Sequence, residues 1–253
     1  MQEPMDRIVA GRPVRDGWAA AEAAGSLIQI GRGQWALPQP ARVSDWIKVL
    51  RDGNRNCRFQ LLLFEYIYRR QQVPAACEDC YKVKVVPRSL RQLMALYELG
   101  RLLPFTYKCG LDAAAPMTSG VYGAYFFLHG LPAARAAYAK IREVVTADAK
   151  LGPEVVVFIK RGCTEYEVHC GPSDRYVFSD EFRKLEARLV QSIRLGEAEP
   201  PSTPQIQQTV ARWIRTAYSL GDETYLDFTG GRRLYPAVVR YAPEHDPGSE
   251  ARA

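Results

Sequence analysis

The order of apolar patterns predicts a mixed α+β protein with a ferredoxin-like βαββαβ core, flanked by N- and C-terminal helices and a C-terminal hairpin. Three observations carry this reading. Between Cys77 and Cys170 the apolar period switches strand, helix, strand, strand, helix, strand. The runs Tyr81–Val86 and Val155–Ile159 are rich in β-branched residues. The two helical stretches between them open on helix-start signals, Ser89 and Pro132.

The first 40 residues are weakly patterned, because Gly11, Gly17, Gly25, Gly31 and Gly33 interrupt any long element, and Pro38 and Pro40 mark a boundary. Residues 41–195 should hold a helical lead-in, the core and one following helix. Ser44 is placed to cap a helix carrying Trp46, Ile47 and Leu50 that stops at Gly53. A second helix, residues 55–71, would put Phe59, Leu62, Leu63, Tyr66 and Ile67 on one face. It ends in Arg69-Arg70, which suits the negative helix terminus, and Pro74 prevents continuation.

Within the core, strand one is expected at 81–86 and strand two at 105–110. Strand three is expected at 121–129 and strand four at 154–161. Helices near 88–100 and 132–150 would bury Leu90, Leu93, Met94 and Tyr97, and Ala134, Ala137, Tyr138, Ile141, Val144 and Val145. Ser179 caps a further helix carrying Phe182, Leu185, Leu189 and Ile193. The proline-rich stretch 196–204 reads as a linker. Residues 203–242 then supply a helix, with Ile206, Val210, Trp213, Ile214 and Ala217 on one side, and a hairpin turned at Gly230-Gly231. Residues 243–253 read as a disordered tail.

A βαββαβ chain places its strands in the sheet order 4-1-3-2. The start of strand one then neighbours the ends of strands three and four. Cys77, Cys80, His129 and Cys163 meet at that rim, and His169 and Cys170 lie one short segment further on. Cys77-x₂-Cys80 supplies two thiols from one tight turn, a spacing shared by zinc knuckles and iron–sulfur ligands. The sequence therefore predicts a metal site of Cys77, Cys80, Cys163 and Cys170, with zinc or an iron–sulfur cluster as cofactor; His129 and His169 are candidates for additional ligands, although a lone histidine near a strand end is more often a satisfied polar residue. A metal site suits a redox or cofactor-related role.

Cys57 and Cys109 are assigned to packing. A straight helix of roughly 15 residues would carry Cys57 about 20 Å from Cys77, and Cys109 lies in strand two, on the far side of the sheet order. Glu165 and Glu167 alternate beside Cys163, where they are placed to orient a metal ligand or accept a proton, but the favoured reading is solvated strand residues.

The alternative site is a basic, aromatic sheet face. Strand alternation puts Lys82 and Lys84 on one side, where Lys108, Tyr125 and Lys160 can join them. The aromatic third strand resembles in part that of an RNA recognition motif, which stacks bases on an open sheet. It departs from that pattern because no Lys or Arg precedes Gly120. The net charge of +6 and pI near 9.0 are compatible with an anionic ligand or nucleic acid.

Residues Met1–Arg7 lack an apolar h-region, so no signal peptide is expected, and no apolar run is long enough to span a membrane. A cytoplasmic location follows, where six cysteines read as thiols or metal ligands rather than disulfides. No phosphate-cradling glycine motif, HExxH or nucleophile elbow is present, so no reaction is assigned.

Overall fold

The computed structural model describes residues 2–38, 44–51, 57–112, 120–196, 200–237 and 239. In chain order it runs α1 (Gln2–Asp6), β1 (Ile8–Val9), β2 (Arg12–Pro13), α2 (Val14–Ala23), β3 (Ile28–Gly31), β4 (Gln34–Ala36), β5 (Trp46–Val49) and α3 (Arg58–Leu62). Next come β6 (Cys80–Val86), α4 (Leu90–Leu102), β7 (Tyr107–Leu111), β8 (Tyr122–His129), α5 (Leu131–Ala147) and β9 (Val156–Arg161). The chain closes with α6 (Thr164–Cys170), α7 (Asp180–Val190), β10 (Ile193–Arg194) and α8 (Thr203–Ser219).

The architecture is mixed α+β, organised on a five-stranded sheet of order β5-β7-β8-β6-β9 with every neighbouring pair antiparallel. The four strands expected from the sequence are β6, β7, β8 and β9, and they stand in the expected order. Alternation decides which side chains go where. Val83, Val85, Ala124 and Phe126 point to one face, where they meet Leu90, Leu93 and Leu96 of α4 and Ala137, Ile141 and Val145 of α5. Ser89 caps α4 by accepting a bond from the Gln92 amide. Gly100 lets α4 approach β7, since a Cβ there would lie 2.5 Å from the Tyr107 ring. Helix α8 extends this core with Trp213 and Ala217.

A second core joins the N-terminal residues to α3 and α7. Trp18 of α2 packs edge-on against Trp35 of β4, with ring centroids 5.4 Å apart. Leu62, Leu63, Leu185 and Leu189 complete this cluster. Strand β4 pairs with β3 and, in parallel, with β10. The weakly patterned opening residues are therefore folded by tertiary packing, with short elements between their glycines.

Three other expectations change. The helix expected after Ser44 is the strand β5, an added edge on β7: Ile47 and Val49 are β-branched, and Ile47 is buried in the main core. The helix expected over 55–71 spans only α3 and a widened π-type turn at Leu63–Ile67, and its last expected residues Arg69 and Arg70 turn left-handed at φ 51° and 63°. The first arm of the C-terminal hairpin is instead a 3₁₀ turn, Glu223–Phe228, whose Tyr225 packs on Tyr218. Gly230 and Gly231, at φ 64° and 74°, follow it, and no strand forms among the described residues after them. The helices capped by Ser179 and led by Thr203-Pro204 stand where expected. The tail at 243–253 lies outside the described residues.

Candidate thiol and lysine site at the sheet rim

The Cys77-x₂-Cys80 turn is held on several sides. Pro74 precedes a 3₁₀ turn over Ala75–Cys77. The buried carboxylate of Glu186 accepts the Ala75 amide at 2.7 Å, the Ala76 amide at 3.1 Å and the Tyr68 hydroxyl at 2.7 Å. Arg161 donates twice to the Glu78 carbonyl, at 3.0 and 2.9 Å. The amides of Gly130 and Gly162 bond the Asp79 and Cys80 carbonyls at 2.9 and 2.8 Å, tying the turn to the ends of β8 and β9. Cys80 stands opposite His129 in the ladder. The rim expected from strand order is thus formed.

Cys163 reaches the same rim from the other side. Gly162, at φ 65°, ends β9 and turns the chain into α6, with Cys163 just before its first residue. The segment 164–170 is helical rather than extended, which corrects the strand reading of Glu165 and Glu167. Both carboxylates fall in the first turn and His169 in the last, the placement a helix dipole favours. Glu165 is exposed, whereas Glu167 pairs with Lys160 at 3.1 Å.

Lys82 is the least ordinary residue here. Its side chain is buried, with 5% relative exposure, and its ammonium donates to the Cys163 sulfur at 3.0 Å. Burial opposes a charged lysine, but the charges of Cys163, Cys80 and Cys57 outweigh it and raise the Lys82 pKa. The Cys77 sulfur lies 3.6 Å from the Tyr166 hydroxyl. Burial, opposed by that hydroxyl and assisted by the charges of Cys80, Cys163 and Cys57, pushes the Cys77 thiol up.

Cys57, Cys77, Cys80 and Cys163 therefore share one electrostatic neighbourhood. Placing Cys57 far from Cys77 is corrected: α3 is short, and the left-handed residues after it turn the chain back. Cys170 packs on the rim of this cluster, but its sulfur is directed to the Arg70 carbonyl at 3.5 Å, and the length of α6, about 10 Å, separates it from Cys163. His129 and His169 have exposed side chains, and His169 lies 6.0 Å from the Phe64 ring. Cys109 is fully buried between sheet and helices, as expected. Among the described residues, no three His, Cys, Asp or Glu side chains are arranged as ligands of a single ion.

The basic sheet face adjoins this cluster. Lys82, Lys84, Lys108 and Tyr125 do share a face, but Lys82 and Lys84 are only 5% and 3% exposed, which corrects the expectation of an open basic surface. Lys84 pairs with Asp112 at 2.9 Å, and the Tyr125 hydroxyl donates to the same oxygen at 2.5 Å. Lys160 donates to Thr164 at 2.7 Å. The ammonium groups of Lys82, Lys84 and Lys108 lie 6.0, 5.1 and 5.0 Å from the Tyr125 ring centre. Glu186, Arg161 and Asp112 went unnoticed in the sequence. The one available signal was Glu186 beside Leu185 on the apolar stripe of α7.

No helix among the described residues is long and apolar enough to cross a membrane. No protein-family model, no curated protein and no solved structure matches this chain.

Proposed function

We propose that the chain binds a cysteine-ligated metal centre, an iron–sulfur cluster or zinc, through Cys77, Cys80, Cys163 and Cys57. One observation carries the reading: a buried lysine has a cysteine sulfur as its hydrogen-bond partner and two more cysteines within electrostatic reach. A buried ammonium needs compensating negative charge. Metal-bound cysteines are deprotonated and supply it. In the metal-free site burial favours the protonated Cys77 thiol. Metal binding then releases protons.

Zinc requires neighbouring sulfurs roughly 4 Å apart. A cluster fills the space between its cysteines with iron and sulfide and accepts a wider set. Lys82 donating to a ligand sulfur would favour the reduced cluster and raise its potential. The sheet order supports reading the core as ferredoxin-like, and free thiols suit a reducing compartment such as the cytoplasm. A nucleic-acid role has less support, since Lys82 and Lys84 are withdrawn from solvent.

The test is iron, sulfide and zinc analysis with an absorption spectrum on protein purified without oxygen. Wild type should contain metal. Cys80→Ser and Cys57→Ser should lose it, and Cys170→Ser should retain most of it. Protein holding neither iron nor zinc would leave a cluster of buried thiols and end this reading.

A further inference from the structure

The two edges of the five-stranded sheet are finished differently. Strand β5 is short, carries the exposed Lys48 in its middle, and has its Trp46 amide taken by the Ser44 hydroxyl at 3.1 Å. Shortness, a charge and an occupied amide all discourage another strand from adding there. At β9 none of these applies. In its ladder with β6 the Gly162 amide bonds the Cys80 carbonyl, and Lys82 stands opposite Lys160, Lys84 opposite Phe158. Bonded pairs alternate in an antiparallel ladder, so the even-numbered residues of β9 bond inward and the odd-numbered ones turn their N–H and C=O groups outward. Among the described residues, the outward groups of Val157 and Ile159 take no partner.

The side chains leave this edge open as well. Val156–Ile159 is apolar, without proline or charge, and Val156 and Phe158 are 47% and 39% exposed on the same face. A groove of about 710 Å³ lies beside the second half of the strand, with Arg135 of α5 on one side and Thr164 and Glu167 of α6 on the other. Within it Lys160 is matched by Glu167 and Lys84 by Asp112. Setting Asp174 against Arg161 leaves Arg135 as the surplus positive charge. Just before the strand stands Glu154, exposed, which among the described residues makes no hydrogen bond and no ion pair.

We propose that β9 is a dimerisation edge, which pairs antiparallel with β9 of a second copy about a two-fold axis and joins the two sheets into one. The axis passes beside Val157, whose outward N–H and C=O are exchanged with those of its counterpart. Ile159 then bonds Val155 of the second copy, whose carbonyl accepts from Arg142 and has a lone pair left. On the polar face Val156 meets Phe158 of the second copy, and the reverse, so the exposed apolar side chains cover each other. The next pair on that face brings Glu154 beside Lys160 of the second copy, in the groove where Arg135 is in surplus. The strand is acidic at its start and basic at its end, so antiparallel pairing with itself supplies the complementary charge at both ends. Parallel pairing would set like charges together.

The experiment is sedimentation velocity and amide hydrogen exchange on the full chain over roughly 1–200 µM, the range in which a dimer of modest interface assembles. Wild type should pass from monomer to dimer. Exchange at Val157 and Ile159 should slow by roughly tenfold or more across that range, while Phe158 and Lys160, bonded to β6 in both states, should not change. Phe158→Lys, at an exposed position, should keep the circular dichroism of the fold and abolish the dimer. Glu154→Arg and Arg135→Glu should each weaken association roughly tenfold, and the two together should restore it. A chain that stays monomeric throughout, or a dimer indifferent to Phe158→Lys, would overturn the proposal. A double charge variant as weak as the single ones would overturn the antiparallel pairing.

Discussion

On one face of the five-stranded sheet, Val83, Val85, Ala124 and Phe126 meet two helices in an apolar core. One residue along the same strands, Lys82, Lys84 and Tyr125 turn the other way and are buried too. Alternation of apolar and polar residues in a strand is ordinarily read as core against solvent. Here it separates two interiors. The apolar one is held by area removed from water, the polar one by charge matching between lysines, a carboxylate and cysteines. Burial on the polar face lacks the usual hydrophobic gain, so the charges there must be matched.

The apolar face should answer only to volume. Phe126 stacks on Tyr107 with centroids 5.1 Å apart and is fully buried. Phe126→Ala should cost about 4 kcal/mol in urea unfolding. Asp112 tests the polar face. Asp112→Ala would strand the Lys84 ammonium and orphan the Tyr125 hydroxyl, costing about 3 kcal/mol. Replacing both partners, Lys84→Met with Asp112→Leu, should recover most of that loss. A double variant as unstable as the single one would mean that shape rather than charge matching organises this face.

The two faces were not equally legible in the sequence. The helix-facing residues repeat at periods of two and 3.6, so the four central strands, their order and both covering helices followed from pattern and connection rules. The lysines of β6 were placed on the correct face by the same alternation. Their burial could not be read, because their partners Cys163 and Asp112 are distant in the chain, and α6 was hidden because its Glu165, Tyr166, Glu167 and Val168 alternate like a strand. The helix is framed by Gly162 and Gly171, both at positive φ. Strand β5 was hidden by Ser44, which resembles a helix cap and instead accepts a bond from the Trp46 amide. Cys57 was misplaced because a straight helix was assumed where the chain turns back. Glu186 was invisible for a general reason: a glutamate in a helix is ordinarily solvated.

A smaller effect separates a tolerated charge from a matched one. Lys108 is protonated in both folded and unfolded chains below pH 8, and there the fold bears the cost of enclosing its charge. Between about 8 and 10.5 the folded chain has released the proton while the unfolded chain retains it, so stability rises with pH. Above 10.5 both are neutral and the contribution is flat. Lys108→Met should therefore stabilise the protein by about 2 kcal/mol at pH 7, a figure reduced because part of the side chain remains wet. The gain should vanish by pH 11. A gain independent of pH would indicate better packing of methionine instead.

The smallest expected change in stability is also the most direct comparison of the two interiors, because it makes one substitution on each side of the sheet. Cys109 lies in the apolar core, where burial pushes its thiol up. Cysteine there acts as a small apolar group, and serine would bring in a hydroxyl with no designated partner. Cys109→Ser should cost about 1–2 kcal/mol at every metal concentration and leave metal content unchanged. Cys57 lies in the electrostatic neighbourhood of Lys82 and Cys77. Cys57→Ser should change the stability of metal-free protein by less than about 1 kcal/mol. Its effect should appear only in the loaded protein, where a lost ligand removes the stabilisation that bound metal contributes by mass action. Unfolding curves of both variants, recorded with and without chelator, would therefore coincide for Cys57→Ser, which has no metal to lose, and separate for Cys109→Ser. Separation for both would return Cys57 to the packing role that its sequence position suggested.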